Sequence, residues 1–149
     1  MRTLKIHLIR HGATDANYLG QYIGSKTDLP LSPEGFNELR LLKEDIDYPE
    51  IDVLYSSPML RCRQTGSLLY PDSEIITVPN LTEYDFGDFE GKDRCSEHYQ
   101  NEKRKCFKRY PGGESFLDVA ARVYPFIKGI LNDPQMQDKT VFIVSHGGI

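Results

Sequence analysis

Two histidines in this sequence each end an apolar segment and are each followed by glycine. His11 follows the segment "TLKIHLIR", and His146 follows "TVFIVS". Arg10 directly precedes His11, Asn17 lies six residues after it, and Arg61 lies in the block "SSPMLRCRQT". A histidine can act as a nucleophile towards a phosphoryl group, and the planar donors of arginine match phosphate oxygens. These residue types predict an anion site at which a histidine reacts while arginines neutralise the charge.

A carboxyl group that could transfer protons lies between the two histidines. Glu83 is part of "LTEYDFGDFEG", where aromatic residues and glycines surround it. Partly apolar surroundings would raise the pKa of this group towards neutrality, as an acid catalyst requires. Taken alone, Glu83 or Arg61 could equally be a solvated surface charge, and we expect His7 to be structural and His98 to be solvated. The combination favours a site because separate segments each contribute a residue that suits phosphate chemistry.

Four short apolar segments predict the strands that position these residues. They lie at residues 3–9, 51–56, 74–78 and 140–145. Strands that alternate with helices indicate an α/β fold with a mainly parallel sheet, in which sites collect at the carboxyl ends of strands. His11 and His146 both follow such ends, so we expect them to converge at one edge of the sheet.

Helix signals occupy three of the connecting segments. Ser32 and Pro33 predict the start of a helix, and Ser57 is the predicted N-cap of another helix after the second strand. The first of these helices carries apolar residues at helical spacing: Phe36, Leu39, Leu42 and Ile46. A third helix over residues 113–131 should be kinked or interrupted by Pro125. Residues 13–31 lack a sustained period and predict a long functional loop.

The composition predicts one globular domain that acts on small molecules. A length of 149 residues suits a single domain, and no segment is apolar for the roughly 18 residues that a membrane span needs. A formal net charge of -4 argues against nucleic acid as the main partner. We expect no membrane association and a cytoplasmic location. The three cysteines are odd in number and form no CxxC pair, which argues against a disulfide framework or a zinc cluster.

Five blocks of the sequence resemble, in the same order, those of the histidine phosphatase superfamily, the phosphoglycerate-mutase-like proteins. They are "LIRHGATDAN", "SSPMLRCRQT", "LTEYDFGDFEG", "PGGES" and "VSHGG", and they cover nearly the whole chain. The resemblance implies a three-layer αβα sandwich with a mainly parallel sheet, formed as one domain by residues 1–149. It implies no metal ion and no other cofactor, because arginines and histidines supply the charge stabilisation.

The same resemblance assigns roles to the residues of the predicted site. It implies that His11 is the phosphorylated nucleophile and that His146 belongs to the catalytic set. Glu83 matches the acid that protonates the leaving oxygen and then accepts a proton from the water that attacks phosphohistidine. The residues that would bind the phosphoryl group are Arg10, Asn17, Arg61 and His146.

Hydrolysis is favoured over mutase transfer within this family. Tyr84 follows Glu83 where the cofactor-dependent mutases carry an arginine, and only 62 residues separate Glu83 from His146. The form "YDFGDFEG" followed by "YPGGES" looks most like the α-ribazole phosphatases, which act in cobalamin synthesis, although broad-specificity phosphatases share much of it. The alternatives are a phosphoglycerate-mutase-type phosphoryl transferase and a non-catalytic protein that binds phosphate esters. A metal-dependent hydrolase is less favoured still, because no clustered ligand spacing accompanies the histidines.

Substrate selection is expected to depend on a basic insert between Asp93 and Tyr110. The cations in and beside it are Lys92, Arg94, Lys103, Arg104, Lys105, Lys108 and Arg109. Such a run is usually a solvated face, but one or two of these cations could hold a second anionic group of a small phosphorylated metabolite. The predicted substrate contacts are Thr14, Tyr22, Lys105 and Arg109.

The resemblance also concerns the chain beyond the second histidine. In the family, "HGG" continues into a helix and further structure, whereas Ile149 is the last residue here. We therefore expect that the C-terminal part of the domain is missing and that apolar surface of the sheet is left exposed. Such a chain would be unstable alone, would pair with another copy as a homodimer, or would be a fragment of a longer protein.

Overall fold

The computed structural model describes residues 3–97, 100–101 and 107–149, and its centre is a parallel four-stranded sheet. The strands are β1 (Lys5–Arg10), β2 (Val53–Ser56), β3 (Ile75–Thr77) and β4 (Thr140–Ser145). Their order in the sheet is β1-β4-β2-β3, and every pairing is parallel. All four predicted strands are therefore confirmed, with differences of at most two residues at the ends.

Helices connect the strands in the predicted order. They are α1 (Asp15–Tyr18), α2 (Pro33–Asp45), α3 (Leu60–Leu69) and α4 (Phe116–Asn132), with 3₁₀ turns at Pro79–Leu81, Gly87–Phe89 and Pro134–Met136. Ser32 caps α2 as predicted, because its side chain accepts a hydrogen bond from Gly35 N. The long loop predicted at residues 13–31 instead contains the single turn of α1.

The predicted cap of α3 needs correction, and the interruption that Pro125 could have caused is absent. Ser57 is not the N-cap of α3, since Met59 holds that position and the Ser57 hydroxyl contacts His146 instead. Pro125 does not interrupt α4, which is one helix from Phe116 to Asn132. Asn80 Nδ2 donates to the Arg122 carbonyl at 2.6 Å in the turn before the proline, so a side chain outside the helix satisfies a carbonyl there.

Strand β4 divides the core into two layers. Val141 and Ile143 pack with Ile130 of α4 on one face of the sheet. Phe142 and Val144 pack with residues of α2 and α3 on the other face. This alternation follows from the two-residue period of a strand that is buried on both faces, and it confirms the three-layer αβα arrangement.

Burial is incomplete at several apolar positions. On α2, Leu39 is buried as predicted, whereas Phe36, Leu42 and Ile46 are each 45–47% exposed. On the edge strand β1, Leu8 is 72% exposed. In the described part of the chain, no helix is both long enough and apolar enough to cross a bilayer.

Arg122 of α4 connects this helix to the segment that carries Glu83. Its Nε and Nη2 donate to the two carboxylate oxygens of Glu114 at 2.9 and 3.1 Å. Its Nη1 donates to Asn80 O at 2.6 Å, and Nη2 also donates to Glu83 O at 3.2 Å. Because the Arg122 and Glu114 side chains are only 22% and 24% exposed, this bidentate pair is partly shielded from water.

We expect the Arg122→Ala substitution to lower the free energy of unfolding by about 2–3 kcal/mol, because it leaves the half-buried Glu114 carboxylate without its cationic partner and the carbonyls of Asn80 and Glu83 without this side-chain donor. Urea denaturation followed by circular dichroism measures this change. Arg40→Ala is the matched control, since Arg40 forms an exposed i,i+4 pair with Glu44 whose loss costs about 0.5 kcal/mol or less. Equal losses in the two variants would contradict the role given to Arg122.

Candidate active site

A cavity of about 390 Å³ opens at the carboxyl ends of β1 and β4, where the sheet brings the predicted residues together. The residues that line it are Arg10, His11, Thr14, Asn17, Gln21, Tyr22, Ile23, Arg61, Glu83, Tyr84, Phe86, Arg94, Lys108, Tyr110, Gly147 and Gly148. It combines guanidinium groups and the His11 imidazole with aromatic rings. The geometry of each part indicates what it can bind.

His11 is held by the continuation of the sheet beyond β1. Its backbone N–H donates to Ser145 O at 3.0 Å, which extends the β1–β4 pairing by one residue. The ring Nδ1 lies 2.7 Å from Gly12 O, and a carbonyl can only accept, so the Nδ1 atom carries the proton. Gly12 N in turn donates to Thr65 Oγ1 at 3.0 Å. This arrangement leaves Nε2 of His11 with a lone pair available for reaction.

The surroundings of His11 keep its imidazole neutral. Burial lowers its pKa to about 4, with further lowering by the charges of Arg61 and Arg10, although the hydrogen bond to Gly12 acts in the opposite direction. A neutral imidazole is the form that can attack an electrophile. His11 is therefore in its nucleophilic form at neutral pH.

Arg61 places a buried positive charge next to His11. Its side chain is 1% exposed, and its guanidinium donates to Thr27 O at 3.3 Å and to Gly24 O at 3.4 Å. Among the described residues no carboxylate forms an ion pair with it, and burial lowers its pKa. A buried cation whose neighbours are neutral carbonyls is well suited to bind an anion.

The single turn of α1 positions Asn17 in the cavity wall. Thr14 caps the turn, and both its backbone N–H and its hydroxyl donate to Asn17 Oδ1, at 2.9 and 3.1 Å. These two bonds fix the orientation of the amide, so its Nδ2 group is the side that remains to donate. Capping of a short helix thus orients a hydrogen-bond donor in the cavity wall.

Glu83 is a buried residue in the wall of the cavity. Its side chain accepts a hydrogen bond from Tyr84 N at 2.9 Å. Burial raises the pKa of this carboxyl group, although Tyr84 N–H and the charges of Arg61, Arg10 and Arg122 oppose the rise. Gly148 is required beside it, because a Cβ at that position would lie 2.7 Å from Glu83 Oε1. Glu83 can therefore hold a proton at a higher pH than an ordinary glutamate.

His146 lies behind the cavity wall in contact with both reactive groups. Its ring centroid is 5.2 Å from that of His11, and its Nδ1 is 3.9 Å from Glu83 Oε2. Burial, followed by the charge of Arg61, lowers the pKa of His146 to about 2. The contact with Glu83 is therefore between a neutral ring and a carboxyl group, and it is not an ion pair.

Four aromatic side chains form the outer part of the cavity. The rings of Tyr84 and Phe86 are stacked with centroids 5.6 Å apart, and Tyr22 and Tyr110 meet the Phe86 ring edge-on at 5.0 and 5.5 Å. Phe89 packs behind them. We call Tyr22, Tyr84, Phe86 and Tyr110 the aromatic wall; it gives this part of the cavity an aromatic lining.

Two of the four predicted substrate contacts line the cavity. Thr14 and Tyr22 line the cavity. Arg109 is not among the described lining residues, because its guanidinium pairs with Asp118 in the first turn of α4. Lys105 lies outside the described residues. Arg94 and Lys108, two other cations of the insert, line the cavity instead.

Sequence reasoning did not identify several groups of this site. It gave no role to the aromatic wall beyond Tyr22, to Thr65, or to the contact of Ser57 with His146. The alternating aromatic residues of "YDFGDF" were an available signal for the wall. No signal in the sequence distinguished Ser57 from an ordinary helix cap.

Comparison with known proteins agrees with this geometry. A sequence profile of the histidine phosphatase superfamily (branch 1) matches residues 6–149. A 2,3-bisphosphoglycerate-dependent phosphoglycerate mutase from Rhizobium etli is 33% identical over 99% of this chain and 76% of that protein. Phosphoserine phosphatase 1 from Hydrogenobacter thermophilus is 30% identical over 96% of this chain and 71% of that protein.

Solved structures show the same architecture. A candidate α-ribazole-5′-P phosphatase from Escherichia coli K-12 superimposes with a TM-score of 0.81 at 26% identity. The match covers 97% of this chain and 74% of that one. A phosphoglycerate mutase from Thermus thermophilus superimposes with a TM-score of 0.76 at 31% identity, over 99% of this chain and 79% of that one. The chain belongs to the histidine phosphatase superfamily, an enzyme family of phosphatases and mutases.

Proposed function

We propose that this protein hydrolyses phosphate monoesters through a phosphohistidine intermediate, without a metal ion. The observation that carries the proposal is the state of His11: it is buried and neutral, and Gly12 O holds the proton on Nδ1. Its reactive Nε2 shares the cavity with Arg61, which forms no ion pair with a described carboxylate, and with Glu83, whose pKa burial raises. These are the nucleophile, the anion site and the acid that phosphoryl transfer needs.

In the first step, His11 Nε2 attacks phosphorus and the bond from phosphorus to the ester oxygen breaks. Glu83 gives its proton to that oxygen, so the leaving group departs as a neutral alcohol. In the second step, the Glu83 carboxylate takes a proton from water as the water oxygen attacks the phosphohistidine. The N–P bond then breaks, and inorganic phosphate and the original forms of both residues result. Arg10 and Arg61 neutralise the charge of the phosphoryl oxygens in both steps, and Asn17 donates a hydrogen bond to them.

For the substrate we propose α-ribazole-5′-phosphate, which places the enzyme in the cytoplasmic synthesis of cobalamin. The aromatic wall supports this choice, since it offers ring faces to the benzimidazole base of that ester. The likeness to the Escherichia coli candidate α-ribazole-5′-P phosphatase points in the same direction. Tyr84, next to Glu83, gives the wall an apolar ring at the position nearest the acid.

Arg94 and Lys108 favour a second candidate, a reaction on small phosphate esters that also carry a carboxylate. Both cations line the cavity, as a second anionic group would require. The relatives named phosphoglycerate mutase and phosphoserine phosphatase suggest such esters. In this alternative the enzyme would be a phosphoglycerate-mutase-type transferase or a phosphoserine phosphatase.

Glu83→Gln should trap the phosphoenzyme. With p-nitrophenyl phosphate, whose leaving group needs little protonation, the first step should continue, while loss of the base slows hydrolysis by about 10²–10⁴-fold. Rapid-quench measurements should show a burst of nitrophenol equal to the enzyme concentration, and an alkali-stable, acid-labile phosphate on His11. His11→Asn should abolish both signals, whereas His7→Gln, a change on β1 beside Phe142, should keep normal turnover.

A wild-type protein without turnover would instead support a non-catalytic binding protein, and activity that a chelator abolishes would support a metal-dependent hydrolase.

The pH dependence of kcat/KM should be bell-shaped. Activity should rise with pH through about 4, because His11 must lose its proton to attack. It should fall as pH rises through the pKa of Glu83, which burial raises above the ordinary value of 4.5, because the acid must be protonated in the first step. Glu83→Gln should lose this falling limb, and substrate ionisation, which is common to both proteins, cancels in the comparison. An unchanged falling limb in the variant would remove Glu83 from the role of acid.

The two substrate classes should respond differently to loss of the cavity cations. In Arg94→Gln/Lys108→Gln, we expect the KM for 3-phosphoglycerate and phosphoserine to rise about tenfold or more, because one charge-assisted hydrogen bond is worth about 1.5–3 kcal/mol. The KM for α-ribazole-5′-phosphate should change less than threefold. Arg109→Gln is the matched control, since that guanidinium pairs with Asp118 instead of lining the cavity. Higher wild-type kcat/KM for phosphoglycerate or phosphoserine than for α-ribazole-5′-phosphate would favour the second candidate.

A further inference from the structure

The hydroxyl of Ser57 is buried against the second histidine of the site. Ser57 is 0% exposed, and its Oγ lies 2.8 Å from His146 Nε2. Cys62 Sγ lies 3.4 Å from the same nitrogen. The other ring nitrogen, Nδ1, lies 3.9 Å from Glu83 Oε2, and Glu83 lines the cavity. The ring of His146 therefore turns Nε2 towards the protein interior and Nδ1 towards the reacting groups.

The hydrogen bonds around Ser57 decide which nitrogen of His146 carries the proton. Met59 N–H donates to Ser57 Oγ at 3.3 Å, so the hydroxyl is an acceptor for the backbone and its own proton is still to be donated. The Cys62 thiol donates to Ser145 O at 3.5 Å, which directs the thiol proton away from the ring. Among the described residues, His146 Nε2 is then the strongest acceptor near the Ser57 hydroxyl, since a thiol sulfur accepts only weakly.

The opposite tautomer would satisfy fewer of these groups. If Nε2 carried the proton, the buried Ser57 hydroxyl would have only the weak sulfur acceptor of Cys62 for its own proton. The Nδ1 lone pair would also face the oxygens of any bound phosphoryl group. A neutral imidazole has one N–H donor, so its position decides whether His146 attracts or repels an anion.

We propose that Ser57 is a positioning residue that holds His146 with its proton on Nδ1, so that Nδ1–H donates to a phosphoryl oxygen beside His11. The inference rests on the proposed function, because the phosphoryl group is the ligand in question. Ser57 itself touches no reacting atom. The two histidines of the site then present different groups to the phosphoryl oxygens and phosphorus. Gly12 O accepts from Nδ1–H of His11, which leaves the lone pair on Nε2. Ser57 donates to Nε2 of His146, which leaves Nδ1–H as a donor.

Long-range ¹H–¹⁵N NMR of the histidine rings tests the tautomer directly in the unliganded protein at pH 7. We expect wild-type His146, assigned with a His146→Gln variant, to show a protonated Nδ1 and a bare Nε2. In Ser57→Ala, protonated Nε2 should appear, and kcat/KM for p-nitrophenyl phosphate should fall about tenfold to a hundredfold, as when the orienting partner of an active histidine is lost. Ser57→Thr, which keeps the hydroxyl, should restore the wild-type tautomer and most of the activity.

Ser56→Ala is the matched control. Ser56 is also 0% exposed, and its hydroxyl donates to Ser57 O and not to a histidine. It should keep the His146 tautomer and change kcat/KM less than threefold. A protonated Nε2 in the wild-type protein would overturn the proposal, and so would Ser57→Ala with unchanged tautomer and kinetics, or an equal loss of activity in Ser56→Ala.

These outcomes are separable from failure of the proposed function. If the wild-type protein hydrolyses no ester, the NMR measurement still decides the tautomer, and the dissociation constant of inorganic phosphate replaces kcat/KM as the second readout. Ser57→Ala should then raise that constant about tenfold, and Ser57→Thr should not.

Discussion

A positive charge buried beside two histidines is the constraint on which the rest of the site depends. Arg61 is 1% exposed, and the hydrogen-bond acceptors of its guanidinium are neutral carbonyls of residues 24 and 27. Its charge and the loss of water together keep His11 and His146 unprotonated. A site with fixed cations and neutral histidines has positive charge for an anion to neutralise, while its nucleophile remains unprotonated. Binding of the anion and readiness to react thus have the same physical origin.

The sheet holds this arrangement with little freedom. Strands β1 and β4 pair in register from Lys5–Thr140 to Arg10–Ser145, and His11 N continues the ladder to Ser145 O. The two histidines therefore stand at the adjacent ends of two paired strands, 5.2 Å apart between ring centroids. Thr65 extends this order to α3, because it accepts from Gly12 N and donates to Arg61 O. The nucleophile and the principal cation are thus joined through one buried hydroxyl.

Much of this could be predicted from the sequence, because the informative features are local. The apolar run of β4 and the Ser32–Pro33 start of α2 are signals in neighbouring residues, and the residues of the family blocks do gather around one cavity. The prediction was weaker where the outcome depends on a distant partner. In the sequence Ser57 resembles a helix cap, whereas in the structure its hydroxyl contacts His146, which lies 89 residues away. Lys108 and Arg109 are neighbours with similar charge, yet only the first lines the cavity, because the second pairs with α4.

Glu83, Tyr84 and Phe86 belong to one short segment, which Arg122 ties to α4 through the Glu83 carbonyl. The acid and half of the aromatic wall are consequently one mechanical unit. The cavity cations Arg94 and Lys108 belong to a separate stretch of chain, which ends at Tyr110 of the wall. Charge preference can therefore change through the insert while the acid stays in place, whereas any change at Tyr84 or Phe86 that alters the preference for ring-shaped leaving groups also affects the segment that carries the proton.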